Sequence, residues 1–134
     1  MTQSPSVGVL DTCTFIDLGV LDPDDLPVYP ELTTITLAEL YQGVTMAKDP
    51  VTMAARAELL HAGVSEFEPL PFDADAAARY GSLVALVLDA GRNPRPRRLD
   101  LMIAAIASVQ GLPLYTRNPA DFKGLGELLT VHAV

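Results

Sequence analysis

A short apolar run that stops at a carboxylate constrains the fold of this chain more than any other feature. Residues 7–10 are Val, Gly, Val and Leu, and Asp11 follows directly. A run of this length without alternation is typical of a parallel strand buried on both faces, and Ser4, Pro5 and Ser6 bound it upstream. We therefore expect Asp11 at the carboxyl end of a central strand, the edge of open α/β sheets where ligands bind.

The length and composition favour one compact domain. The chain has 134 residues, of which 49% are hydrophobic, and this is enough to bury a core. We expect residues 1–134 to form a single domain. The first residues lack the basic and apolar regions of a secretory signal, and no apolar run reaches the roughly 20 residues of a membrane span. These features predict a cytoplasmic protein with no membrane partner.

The single cysteine, Cys13, limits the chemistry available to the chain. One cysteine excludes an internal disulfide and a zinc site built from several cysteines. We expect Cys13 to be a small core residue buried beside the first strand. A catalytic thiol is disfavoured because the chain has two histidines, neither of which lies in a motif that would supply a base.

Strand and helix signals along the rest of the chain favour an α/β fold. The β-branched residues 32–36 predict a second strand, and a helix opens at Leu37. Pro50 is well placed as a first helical residue, and Asp73 is expected to cap a helix that is largely buried against the sheet. The remaining predicted elements are helices at residues 51–62, 74–90 and 99–107, an edge strand or extended connection at residues 67–72, and strands at residues 112–116 and 128–134.

Acidic side chains fall at the ends of several predicted elements. Asp11 follows the first strand, Glu39 lies just past the second, and Asp100 opens an apolar helix. Asn118 and Asp121 follow the late strand. Because ligands bind at the carboxyl ends of parallel strands, we expect these side chains to converge at that edge.

Converging carboxylates with no basic residue between them require a counter-charge. Their ionised forms repel one another strongly in a partly dry cleft, and a divalent cation removes this repulsion. A ligand set of oxygens alone favours Mg²⁺ or Mn²⁺, which bind a few carboxylates, water and substrate phosphates. Such a site activates water for attack on a phosphodiester and stabilises the leaving oxygen. The sequence therefore predicts phosphodiester hydrolysis.

Three of these acidic residues also have structural alternatives. Glu39 stands three residues after Thr36, the spacing of a capping box, so its carboxylate would reach back to a helix cap. Asp100 near a helix N-terminus is explained by capping and by the helix dipole. Asp121 is placed to cap a final short helix. The sequence leaves these alternatives open.

Basic residues are concentrated in one loop of an acidic chain. The formal net charge is −8, yet four of the nine basic residues lie within residues 91–98. A basic strip beside an acidic pocket is compatible with a polyanion bound through metal ions. A solvated loop is equally compatible with the charge pattern.

Four segments of the chain occur in an order and spacing that, taken together, are specific to one protein family. They are residues 10–12 (LDT), 36–40 (TLAEL), 98–105 (RLDLMIAA) and 116–122 (TRNPADF). These segments resemble those of the PIN-domain ribonucleases, and more narrowly of the VapC-type toxins of bacterial type II toxin–antitoxin pairs. The resemblance covers nearly the whole chain, and it implies a PIN-like three-layer α/β/α fold with a central, mostly parallel sheet.

The resemblance also implies the residues of the site. Its catalytic and metal-binding residues would be four carboxylates, those of Asp11, Glu39, Asp100 and Asp121, around Mg²⁺ or Mn²⁺. Thr12, Thr116 and Asn118 would hold these carboxylates or a bound water. Because relatives can carry an aspartate where this chain has Asn118, the resemblance leaves open whether Asn118 or Asp121 is the nearer metal contact.

The resemblance further implies the substrate and the partners. The expected activity is endonucleolytic cleavage of structured RNA such as transfer or ribosomal RNA. The expected partner is a small VapB-like antitoxin that binds across the active-site groove, in a homodimer or a toxin–antitoxin hetero-oligomer. Arg95, Arg97 and Arg98 would guide RNA phosphates toward the metal, or would only shape the approach to the helix of Asp100.

Other proteins also place acidic residues at the ends of parallel strands. A phosphoacceptor receiver domain needs an acidic pair on the first strand, whereas Asp11 has no acidic neighbour. Haloacid-dehalogenase-type phosphatases need an aspartate two residues after the first, where this chain has Cys13. A non-catalytic binding protein that keeps the fold and the acidic pocket remains the alternative to a nuclease.

Overall fold

A computed structural model describes residues 6–134 and contains a four-stranded sheet in which every strand pairing is parallel. The strands lie in the spatial order β2-β1-β3-β4. This sheet confirms the predicted α/β class. Ser4 and Pro5, the predicted upstream boundary of the first strand, lie outside the described residues. The strands are β1 (Val7–Leu10), β2 (Tyr29–Glu31), β3 (Leu114–Thr116) and β4 (Val131–Ala133).

Helices cover both faces of this sheet. Successive residues of a strand point to opposite faces, so Val9 of β1 packs in one core and Leu10 packs in the other. The core of Val9 includes residues of α4 and α5, and the core of Leu10 includes residues of α1 and α2. The result is the three-layer arrangement predicted above. The helices are α1 (Thr12–Ile16), α2 (Thr34–Thr45), α3 (Pro50–Glu66), α4 (Ala74–Asp89) and α5 (Arg98–Val109).

Close packing fixes β1 against β3. Leu10 lies beside Tyr115 in the parallel register of the two strands. A Cβ atom at Gly8 would lie 2.3 Å from Cε1 of Tyr115, so only glycine fits beneath this ring. The carboxyl ends of β1 and β3 are thereby held side by side.

The second strand lies earlier than the sequence predicts. Residues 32–36 are not a strand: β2 ends at Glu31, and Thr33 is the N-cap of α2. The main-chain N–H of Thr36 donates to Thr33 Oγ1 at 3.2 Å. The prediction is wrong because threonine is both a strand former and a capping residue. Residues 67–72 are an extended connection that reaches the sheet region through one isolated bridge, between Thr33 and Leu70.

The predicted helix starts at Pro50 and after Asp73 are confirmed, whereas α2 begins at Thr34 and not at Leu37, and one packing prediction is wrong. Asp49 caps α3 with Pro50 in its first turn, and Asp73 caps α4. Helix α4 was expected to be buried against the sheet. Instead it packs mainly on α5, and α5 has six buried residues where α4 has three. No helix within residues 6–134 has both the length and the apolar character needed to span a bilayer.

Candidate active site

Asp11 is fixed at the point where β1 and β3 end. Thr116 Oγ1 donates a hydrogen bond to Asp11 Oδ2 at 2.6 Å, and the N–H of Thr14 donates to Asp11 Oδ1 at 3.0 Å. Asp11 is thus the N-cap of α1, and only 4% of its surface is exposed. Because both of its oxygens accept hydrogen bonds, the carboxylate has one defined orientation. Its predicted position at the strand end is confirmed.

Glu39 accepts a hydrogen bond from a hydroxyl group of α1, which is in turn hydrogen-bonded to a hydroxyl group of α2. Thr12 Oγ1 donates to Glu39 Oε1 at 2.7 Å, and the hydroxyl oxygens of Thr12 and Thr36 are 3.0 Å apart. A hydroxyl has one proton, so Thr36 donates to Thr12 when Thr12 donates to Glu39. The capping-box alternative for Glu39 is wrong, because Thr33 caps α2. Glu39 therefore comes from the second turn of α2 and not from a strand end.

Asp100 carries the electrostatic signature of the site. It lies in the first turn of α5. Burial, and after it the negative charges of nearby carboxylates, raise its pKa to about 6, while Arg97 acts in the opposite direction. The carboxylates close enough to have this effect on Asp100 are those of Asp121, Asp11 and Glu39. The structure thus brings the four predicted acidic residues together.

Asp121 and Asn118 occupy different environments after β3. Asp121 lies within a short 3-10 helix, Pro119–Phe122, and its half-buried carboxylate forms an ion pair with Arg97. The prediction that Asp121 caps a final helix is wrong. Asn118 is exposed, and its main-chain N–H donates to Thr116 Oγ1 at 2.9 Å. Asn118 therefore supports Asp11 through its backbone and the Thr116 hydroxyl, a role that its side-chain type does not reveal.

Cys13 was predicted to be buried and is exposed. Because α1 begins directly after β1, the second residue of that helix projects from the edge of the sheet beside the carboxylates. Partial desolvation raises the pKa of the Cys13 thiol, and the charges of Asp11, Asp100 and Glu39 raise it further. The thiol is therefore held in its protonated form next to the site.

The arginines of residues 91–98 do not share one environment. Arg95 and Arg98 are exposed and line a cleft of about 550 Å³ together with Glu39 and Asp100. Arg97 is instead paired with Asp121.

Arg92, which the sequence does not distinguish from its neighbours, donates to the carbonyl oxygens of Ala120 and Lys123, each at 3.2 Å. The sequence feature that could have indicated this role is the position of Arg92 directly after Gly91. This glycine ends α4 with a φ of 74°.

The oxygen ligands of the site fit an open cation site. Within residues 6–134, no three Asp, Glu, His or Cys side chains are grouped closely enough to hold a metal ion by themselves. Mg²⁺ is commonly bound by one or two carboxylates together with water and substrate phosphates. Burial and the charges of neighbouring carboxylates both raise the pKa of Asp100, and a cation bound among these groups would offset both effects. The residues present therefore fit Mg²⁺ or Mn²⁺.

Comparison with known proteins identifies a relative that matches over the full length of the chain and another that matches over most of it. The chain is 36% identical to Ribonuclease VapC5 of Mycobacterium tuberculosis, over 100% of this chain and 98% of that protein. It is 32% identical to a tRNA(fMet)-specific endonuclease VapC of Shigella flexneri, over 74% of this chain and 71% of that protein. No family model matches the chain.

Among solved structures, the chain is similar to a member of the VapBC family of toxin–antitoxin systems, VapBC-5 from Mycobacterium tuberculosis. The two chains are 37% identical and superpose with a TM-score of 0.83. The match covers 97% of this chain and 98% of the other. The fold and the order of its elements therefore have a close experimental counterpart.

Proposed function

The chain belongs to the VapC family of PIN-domain ribonucleases, the toxins of VapBC toxin–antitoxin systems, and on this premise we propose that it hydrolyses RNA phosphodiester bonds with a divalent cation. The observation that carries this proposal is that Asp100, whose pKa is raised first by burial, lies close enough to three other carboxylates for their charges to raise it as well. A folded chain retains such repulsion at a cost in stability. An ion that binds the carboxylates offsets this cost. The groups that destabilise the metal-free fold are thus the groups that bind the ion needed for activity.

Four residues are proposed to hold Mg²⁺ or Mn²⁺. When bound, the cation supplies an activated water and neutralises charge that develops on the phosphate. Asp11 is preoriented for this by the Thr116 hydroxyl and the Thr14 N–H. Glu39 is preoriented by Thr12 and, through it, by Thr36. The proposed ligands are Asp11, Glu39, Asp100 and Asp121.

The exposed arginines are proposed to bind the substrate. Arg95 and Arg98 line the same cleft as Glu39 and Asp100, so an RNA backbone that reaches the carboxylates would pass these guanidinium groups. Transfer or ribosomal RNA is the proposed substrate. The name of the Shigella relative, a tRNA(fMet)-specific endonuclease, supports transfer RNA.

A VapB-like antitoxin is the proposed partner of the chain. The M. tuberculosis structure similar to it is a VapBC toxin–antitoxin system, which supports a hetero-oligomer; a homodimer of the toxin is proposed as its free form. We propose that residues 1–134 form one domain. The cytoplasm, where transfer and ribosomal RNA occur, is the proposed place of action.

Cleavage of total bacterial RNA by the purified, antitoxin-free chain tests the proposal. Reactions with Mg²⁺, with Mn²⁺ and with EDTA are compared for the wild type and for Asp100→Asn. Asp24→Asn is the matched control, since Asp24 is an exposed aspartate in a short 3-10 helix, Pro23–Asp25, that carries none of the four carboxylates. Discrete fragments that need the metal and disappear in Asp100→Asn alone are expected. Folded wild type that cuts no RNA in either metal would favour a non-catalytic binding protein.

A further inference from the structure

Two arginines hold the short helix that carries Asp121, and they do so in different ways. The guanidinium group of Arg92 donates to the main-chain carbonyls of Ala120 and Lys123. Arg97 forms its ion pair with the Asp121 carboxylate itself. One arginine thus binds the backbone of the turn, and the other binds the side chain.

The backbone contact is anchored independently of the ion pair. Gly91 ends α4 in the left-handed conformation, and the N–H of Arg92 donates to the carbonyl of Val87 at 3.0 Å. Arg92 therefore connects the end of α4 to the turn of Asp121 without using Arg97. Loss of the Arg97 contact would leave this connection in place.

The ion pair is placed where it would compete with a metal ion. Arg97 is the residue before α5 and lies three residues from Asp100. The side chains of Arg97 and Asp121 are 39% and 27% exposed, so the guanidinium group has access to solvent if it leaves the carboxylate. Arg97 also lowers the pKa of Asp100, which the neighbouring carboxylates raise. It already supplies part of the positive charge that the acidic cluster needs.

We propose that Arg97 is an internal cation of the active site, which occupies Asp121 in the metal-free protein and is displaced from it when a divalent cation binds. This inference rests on the proposed function, because it takes Asp121 to be a metal ligand. Arg97 then sets the metal concentration at which the site fills. Its removal has two opposite effects: the metal-free protein loses stability, and the metal binds more tightly.

Isothermal titration of the metal-stripped chain with Mg²⁺ measures the second effect. Arg97→Gln is expected to bind Mg²⁺ roughly threefold to fivefold more tightly than the wild type, the range set by the loss of a partly exposed ion pair. Arg97→Lys keeps the charge and is expected to stay near the wild-type affinity. Lys48→Gln, which removes the same charge from an exposed position between α2 and α3, controls for net charge.

Thermal unfolding of the same proteins measures both effects together. Arg97→Gln is expected to have a lower Tm than the wild type in EDTA and a larger rise in Tm on addition of Mg²⁺. Equal Mg²⁺ affinities for the wild type and Arg97→Gln would overturn this inference and leave the metal site standing. Absence of Mg²⁺ binding in both proteins would overturn the proposed metal site and this inference with it.

Discussion

Replacement of Asp100 by asparagine is expected to stabilise the metal-free protein, and more so at neutral than at acidic pH. In the folded chain the pKa of Asp100 is raised from 3.8 to about 6. The folded state therefore binds the proton of Asp100 more tightly than the unfolded state does. The stability that this proton provides is fully present below pH 3.8 and is lost as the pH rises through about 6.

The size of the effect follows from the same pKa. Each unit of difference between the folded-state and unfolded-state pKa values corresponds to about 1.4 kcal/mol. Full ionisation of Asp100 would therefore weaken folding by about 3 kcal/mol if no solvent screened its charge. Asp100 is partly exposed, and screening reduces this figure to about 1 to 2 kcal/mol. Asparagine does not ionise, so the variant avoids this destabilisation at every pH.

Urea denaturation in EDTA measures the prediction directly. The free energy of unfolding of Asp100→Asn minus that of the wild type is expected to be about 1 kcal/mol larger at pH 7.5 than at pH 4.5. Asp24→Asn, treated identically, should show no such pH-dependent difference. A difference for Asp100→Asn that is the same at both pH values would refute the electrostatic account of the site.

Three further changes test the packing, the hydrogen bonds and the cleft. Thr116→Val removes a hydrogen bond to the buried Asp11 carboxylate, so it should lower the free energy of unfolding in urea by about 1.5 to 3 kcal/mol. It should also weaken Mg²⁺ binding, measured by calorimetry, about tenfold or more. Thr116→Ser keeps the hydroxyl and should have neither effect. Gly8→Ala forces a methyl group against a tyrosine ring and should lower Tm, at a cost of about 1 to 3 kcal/mol. Arg95→Gln combined with Arg98→Gln should slow RNA cleavage and reduce its salt dependence; unchanged salt dependence would contradict the role of the cleft.

The sequence predicts the position of a carboxylate when a local pattern determines it. Asp11 ends a short apolar run that is typical of a buried strand, and Asp100 opens an apolar helix rich in small residues. Both positions depend on neighbouring residues in the chain, and the structure agrees with both. The helix start at Pro50 and the cap at Asp73 were predictable for the same reason.

The contacts between distant residues could not be predicted in this way. Thr12 and Glu39 are separated by 27 positions, and Arg97 and Asp121 by 24, so no periodicity relates them. The error at residues 32–36 has a related cause, since the role of Thr33 as a strand residue or a cap depends on where the sheet edge passes. The exposure of Cys13 likewise depends on how sharply α1 turns away from β1.

The proposed function requires one set of carboxylates both to bind the cation and to cut RNA. Electron paramagnetic resonance of Mn²⁺ follows binding in the same samples whose RNA cleavage is measured. This dual role predicts that the wild type and Asp24→Asn bind Mn²⁺ and cut RNA, and that Asp11→Asn loses both properties together. Cleavage that persists in Asp11→Asn, or in wild type stripped of every divalent ion, would contradict it.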